Sequence, residues 1–215
     1  EMSASLVGSE MCIRDRLGAD HATCFDLSAA CTGFVVAYNT AAAYLNAGVY
    51  QTALIIGSES LSNLTNWKDR GTCILFGDGA GAAVLKKDDT RYYLPVTHSN
   101  GSRGGALTCK SRYDRSELSL PDLTKPDEKE YLMQMDGREV FMFAVKSVPQ
   151  VIREVLEKND VAQKEIGYYI LHQANKRIVE AIAKRLDEPM EKFPVNLEEY
   201  GNTSVSYTHL RAHET

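Results

Sequence analysis

The sequence predicts an α/β fold. Short apolar runs bounded by glycine alternate with longer segments at helical spacing, and that alternation implies layers of both kinds. The composition agrees, since 44% hydrophobic and 25% charged residues in a chain of 215 are ordinary for a globular protein with a sizeable core. This length suits one large domain or two small ones.

In chain order, residues 21–26 are short and mixed, and read as a strand leading to Cys31. Residues 31–46 favour a helix, with Ala37, Ala41, Ala42 and Ala43 allowing close packing, and Gly48 is a plausible stop. "TALIIGSES" reads as a buried strand bounded by Gly57. "TCILFGDGAGAAVLKK" reads as strand, glycine turn, strand, with Gly77, Gly79 and Gly81 permitting a tight reversal or a close backbone approach. Residues 100–130 are polar and hold Gly and Pro, so they read mostly as loop. Residues 138–158 carry Val140, Phe141, Ala144, Val145, Val148, Val151, Ile152, Val155 and Leu156 at helical spacing, with Pro149 placed to kink or divide the helix. "IGYYILH" reads as a strand, and Lys176–Leu186 as a helix. No short-period repeat is visible.

Charge and cysteine content exclude several classes. A net charge of -5 and a pI near 5.6 argue against wholesale nucleic-acid binding. No apolar run reaches about 18 residues, so no membrane span is expected. The N-terminus lacks the basic start and apolar middle of a signal peptide. Cys12, Cys24, Cys31, Cys73 and Cys109 are odd in number and lack C-x-x-C spacing. Zinc and a disulfide framework are therefore not expected, and a reducing cytoplasm fits best.

The two ends stand apart from the middle. A nucleotide string that can encode "VSYTHLRAHET" at residues 205–215 has a reverse complement that encodes residues 6–15 in another frame. That string also resembles a transposase-type sequencing-library adapter. Residues 1–16 and 205–215 are accordingly expected to be translated adapter and are set aside from fold reasoning. Cys12, His209 and His213 then carry no functional weight.

Three segments carry candidate chemistry. In "DLSAACTGF", Cys31 lies at a helix start among the small residues Ala29, Ala30 and Gly33. The small neighbours leave room for a substrate, and the positive end of a helix dipole favours a thiolate. A small buried core cysteine fits the same window. In "LHQANKR", His172 follows an apolar run and is well placed to face a cleft, although a hydrogen-bonded structural histidine fits as well. Asn175 is a candidate cap for the next helix. In "YGNTS", Asn202 beside Gly201 is compatible with a simple turn. Together the three segments offer a thiol nucleophile, an imidazole and a carboxamide donor.

"AACTGF", "DRGTCILFGDGAGAAVL", "HQANKRI" and "GNTS" occur in an order that resembles β-ketoacyl-acyl-carrier-protein synthase III. This is the family of initiating condensing enzymes of bacterial type II fatty acid synthesis. The resemblance runs over residues 17–204. It implies a thiolase-like fold layered α-β-α-β-α, incomplete at both termini, with residues 17–90 in an N-terminal half and 91–204 in a C-terminal half. It implies that Cys31 takes an acyl group as a thioester, with His172 and Asn202 at the other two catalytic positions. A Cys-His-His set would instead point to the elongating synthases.

The further roles the resemblance implies are softer. Arg70 matches a position contacting the CoA nucleotide. Gly137, Phe141, Ala174 and Asn175 match positions along a pantetheine channel, and Phe76 one lining the acyl pocket; core packing is an equal alternative for both phenylalanines. Arg177, Lys184 and Arg185 share one face of their predicted helix, which suits an acidic carrier protein, although a merely solvated face reads the same way. The implied substrates are an acyl-CoA and malonyl carrier protein, with no metal or redox cofactor. The implied parent is a cytoplasmic homodimer that binds neither nucleic acid nor membrane. The family pattern extends beyond residues 17–204 on both sides. An active parent and an inactive, unstable 215-residue piece are therefore expected. The alternatives are a secondary-metabolism ketosynthase using another acyl donor or malonyl-CoA, and an inactive acyl- or CoA-binding relative.

Overall fold

Residues 9–109 and 132–204 are described by the computed structural model of the chain. The expectations for residues 1–8, for residues 205–215 with His209 and His213, and for the 110–130 part of the polar loop fall outside them. Helix α1 (Ser9–Arg16) lies within the stretch read as adapter. A 3-10 turn, Ala30–Thr32, leads directly into helix α2 (Gly33–Asn46). Strands β1 (Thr52–Ser60) and β2 (Asp78–Lys86) follow. Two short strands come next, β3 (Leu107–Thr108) and β4 (Gln134–Met135). Helices α3 (Gly137–Lys158), α4 (Lys176–Leu186) and the single turn α5 (Leu197–Tyr200) complete the order.

Helix α2 ends as its sequence requires. Gly48 adopts φ +75, its N–H donates to the Leu45 carbonyl, and the Val49 N–H donates to the Tyr44 carbonyl. This is the paired closure that a residue in the left-handed region makes possible. Phe34 and Ala41 of α2 then pack on Ile55 of β1, with Ala53, Ala83 and Leu85 beside them.

Strands β1 and β2 pair antiparallel from Thr52 opposite Lys86 to Ser60 opposite Asp78. This corrects the predicted strand, glycine turn, strand. Gly79 and Gly81 lie inside β2, opposite Glu59 and Gly57. The stretch before them turns instead, with the Cys73 N–H bonded to the Asp69 carbonyl and the Leu75 N–H to the Thr72 carbonyl. Local bonds of this kind satisfy the backbone that a ladder would otherwise need. One face of the ribbon is covered by α2, while Leu54, Ile56 and Val84 on the other are 44%, 40% and 70% exposed.

Helix α3 runs unbroken through Pro149, which is buried within it. The ring removes one intrahelical donor, yet the flanking core keeps a single element. Asp136 caps the start, its Oδ1 accepting from the Arg138 and Glu139 N–H groups at 3.0 Å each. Val145 of α3 meets Ile178, Val179, Ile182, Ala183 and Leu186 of α4, with Tyr169 and Phe193 stacked alongside at 4.8 Å between ring centroids.

Residues 21–26 and 166–172, both read as strands, have no ladder here. A strand exists only through its partner, and among the described residues neither segment is paired in a sheet. Two bonds hold the second segment in place of a ladder. The Tyr169 N–H donates to the Lys192 carbonyl at 2.8 Å, and Gln173 Nε2 donates to the Pro194 carbonyl at 3.0 Å.

Candidate active site

Cys31 sits in the turn immediately before α2, partly buried, where the first N–H groups of the helix lack intrahelical partners. Ala30, just before it, has φ +46. A residue with a Cβ seldom takes this left-handed conformation, and such positions concentrate where a side chain is held in a required direction.

His172 follows the extended segment 166–171 and precedes the Asn175 cap of α4, whose Oδ1 accepts from the Arg177 N–H at 2.9 Å. Burial pushes the imidazole down to about 4, opposed by a hydrogen bond with the Ser204 backbone. The ring is therefore neutral near pH 7 and suited to donate a hydrogen bond rather than to carry charge.

Asn202 is buried, 5% exposed. Instead of a simple turn, it forms a parallel bridge with Phe76. Its N–H donates to the Leu75 carbonyl at 2.7 Å, and its carbonyl accepts from the Gly77 N–H at 3.0 Å. The bridge carries Asn202 from the C-terminal part of the chain to the N-terminal one. Its Oδ1 accepts from the Ser204 N–H at 3.0 Å. That fixes which end of the carboxamide is spent and turns the amide N–H₂ toward other acceptors.

Ser204 joins the three. Its hydroxyl donates to Cys31 Sγ at 3.7 Å, its backbone bonds the His172 ring, and its N–H orients Asn202. The same hydroxyl hydrogen-bonds Glu59, whose carboxyl is pushed above the usual carboxylate range by burial. Neither Ser204 nor Glu59 was singled out by sequence reasoning. Ser204 stood inside the quoted "GNTS". Glu59 follows Ala53, Ile55 and Gly57 on the covered face of β1, where an acidic residue is out of place unless it has a partner.

The remaining candidates are scattered. Arg70 is exposed in a turn, and Phe76 is partly buried beside Asn202. Gly137 opens α3. Phe141 and Ala174 pack against the α3–α4 core, and Asn175 is engaged as a cap. Arg177, Lys184 and Arg185 are exposed on α4. Among the described residues no group of three or more His, Cys, Asp or Glu side chains is placed to hold a metal ion.

Comparisons with known proteins bear on this site. Two family profiles match: 3-oxoacyl-[acyl-carrier-protein (ACP)] synthase III over residues 25–101, and the C-terminal region of the same family over residues 156–214. The chain is 44% identical over 200 residues to a β-ketoacyl-[acyl-carrier-protein] synthase III of Clostridium novyi, covering 92% of this chain and 60% of that protein. The chain thus spans about 60% of the length of the curated relatives it matches. Among solved structures, that of the Thermus thermophilus β-ketoacyl-[acyl carrier protein] synthase III superposes with a TM-score of 0.86 at 36% identity, covering 99% of this chain and 64% of the other. The priming β-ketosynthase of the R1128 polyketide pathway superposes with a TM-score of 0.84 at 34% identity, covering 93% of this chain and 59% of the other.

Proposed function

Because the chain belongs to the 3-oxoacyl-[acyl-carrier-protein] synthase III family, with that family's thiolase-like α/β fold, we propose that its parent protein condenses an acyl-CoA with malonyl carrier protein through a thioester on Cys31. The observation that carries this reading is the convergence of Cys31, His172 and Asn202 on Ser204.

The chemistry follows from the groups. Thiolate Cys31 attacks the acyl-CoA carbonyl; an S–acyl bond forms and CoA leaves as its thiol after taking up a proton. Malonyl carrier protein then loses carbon dioxide, and the electron pair of the broken C–C bond passes into an enolate. That oxygen needs donors. His172, neutral because buried, has a single N–H, which turns from the Ser204 carbonyl to this oxygen; the Asn202 amide N–H₂ is the second donor, and each such aimed donor is worth about 3 kcal/mol. The enolate carbon then attacks the Cys31 thioester, a new C–C bond forms, and the S–acyl bond breaks to return the thiolate. No step calls for a metal or a redox cofactor.

Arg70 at the CoA nucleotide, Phe76 at the acyl pocket, and Gly137, Phe141, Ala174 and Asn175 along the pantetheine arm complete the reading. Arg177, Lys184 and Arg185, exposed on one helix, suit an acidic carrier. The parent is read as a cytoplasmic homodimer. Residues 17–90 and 91–204 are read as its two halves, supported by a separate apolar cluster within each. Similarity to a polyketide priming synthase favours one second reading, a ketosynthase of secondary metabolism with another acyl donor.

The test is acyl transfer. The full gene product, incubated with labelled acetyl-CoA, should carry label on Cys31, and Cys31→Ser should carry none. Label from longer or branched acyl-CoA but not from acetyl-CoA would favour the second reading. No thioester with any acyl-CoA would overturn both.

A further inference from the structure

The hydroxyl of Ser204 has one proton and two acceptors, Cys31 Sγ and the Glu59 carboxylate. Nothing in the acyl-transfer steps above uses Glu59. Its side chain stands on the covered face of β1, in line with Ala53, Ile55 and Gly57. Ser204 is 4% exposed and has φ +50, a conformation that a residue with a Cβ adopts only when its surroundings hold it there. Its backbone is fixed separately, through its N–H to Asn202 Oδ1 and through its bond with His172. Only the hydroxyl is left to rotate.

We infer that Ser204 is a positioning residue of this site, its hydroxyl dividing between Cys31 Sγ and Glu59 so that the carboxylate on β1 governs how well the thiolate is supported. The inference rests on the reading of Cys31 as the acyl-carrying nucleophile. When the S–acyl bond breaks, charge returns to Sγ, and the Ser204 O–H is the donor already beside it. When the carboxylate takes that proton's hydrogen bond, Sγ loses its donor. An uncharged Gln at position 59 would instead offer an N–H to Ser204 Oγ and leave the hydroxyl proton for sulfur. Burial holds the Glu59 carboxyl above the usual carboxylate range, and the Ser204 hydroxyl works against that rise.

The test is the rate at which iodoacetamide alkylates Cys31 in the full gene product, with the modified cysteine identified by peptide mass spectrometry. Ser204→Ala should slow alkylation about tenfold, the usual effect of losing a hydrogen bond to a charged group. Ser204→Gly, which suits the positive φ, should do the same and guards against a folding defect in the alanine variant. Glu59→Gln should speed alkylation about threefold when Ser204 is present and leave it within about twofold in the Ser204→Ala background. That coupling is what a merely structural serine would not produce. Equal effects of Glu59→Gln in both backgrounds would show that the charge acts through space and would overturn the inference. So would an unchanged rate in both hydroxyl-less variants. Labelling by acetyl-CoA in parallel separates the two readings. Thioester without coupling overturns the role of Ser204 alone, while coupling without thioester from any acyl-CoA supports that role and overturns the synthase reading.

Discussion

At Ala30 and Ser204 the backbone enters the left-handed region, φ +46 and +50, and both residues lie at the Ser204–Cys31 contact, Ala30 next to the cysteine in the chain. Each conformation aims a neighbour or a side chain that the site needs. His172 makes the cost of such a site visible in solution. Its imidazole titrates at about 4 when folded against 6.5 ordinarily, so between those values the unfolded chain binds the proton and the folded one does not. Stability contributed by the neutral ring is complete above about pH 6.5 and is lost as pH falls through 4, a total of about 3 kcal/mol. Urea unfolding at pH 7 and pH 4.5 should show this loss. His172→Gln, which has nothing to titrate, should flatten that part of the profile. An identical pH dependence in both proteins would assign the loss elsewhere.

Elements place these residues through their ends more than through their lengths. Helix α4 buries Ile178, Val179, Ile182, Ala183 and Leu186 along one face and is capped by Asn175, three residues after His172. Its far end closes with the Asp187 N–H on the Lys184 carbonyl and the Glu188 N–H on the Ala183 carbonyl, with Asp187 at φ +55 where glycine is usual. Asp187→Gly should therefore raise stability by about 0.5–1 kcal/mol, read as a higher thermal midpoint with acyl transfer unchanged. The opposite result is expected at Gly77. A Cβ there would lie 2.4 Å from the Tyr200 carbonyl oxygen, against backbone that cannot yield without moving Asn202. Gly77→Ala should cost about 1–3 kcal/mol, and thioester formation should persist while condensation falls, because the residue displaced is the proposed enolate donor rather than the proposed nucleophile.

Over the whole molecule, the energetics are uneven. The α3–α4 cluster is closed, with Val179, Ile182 and Ala183 only 1–2% exposed. Ile182→Ala should destabilise by about 2–5 kcal/mol, as large-to-small changes in a filled core do. The β1–β2 ribbon is different. Its second face leaves Leu54, Ile56 and Val84 open, and a two-stranded ribbon covered on one side draws little stability from itself. Val84→Thr should leave the stability within about 0.5 kcal/mol of the parent value. Equal effects of the Ile182 and Val84 substitutions in melting experiments would contradict this division. No helix among the described residues is long and apolar enough to cross a membrane.

Much was legible in the sequence because it is local physics. Helical periodicity marked α3 and α4, the Gly48 stop and the Asn175 cap were recognisable by residue type, and the buried run of β1 stood out by its apolar content. The expectations that failed, strands at 21–26, 72–76 and 166–172, share one cause. Strand formation depends on a distant partner, and residue pattern cannot say whether one is there. Cys31, His172 and Asn202 were identifiable one by one, each with a bland alternative. What the tertiary structure alone decided is their meeting. The Phe76–Asn202 bridge spans more than a hundred residues of chain, and Ser204 lies against a cysteine 173 positions away. Such contacts arise from packing between elements rather than from preferences within them, so the hydroxyl shared by Glu59 and Cys31 became visible only once the chain was folded.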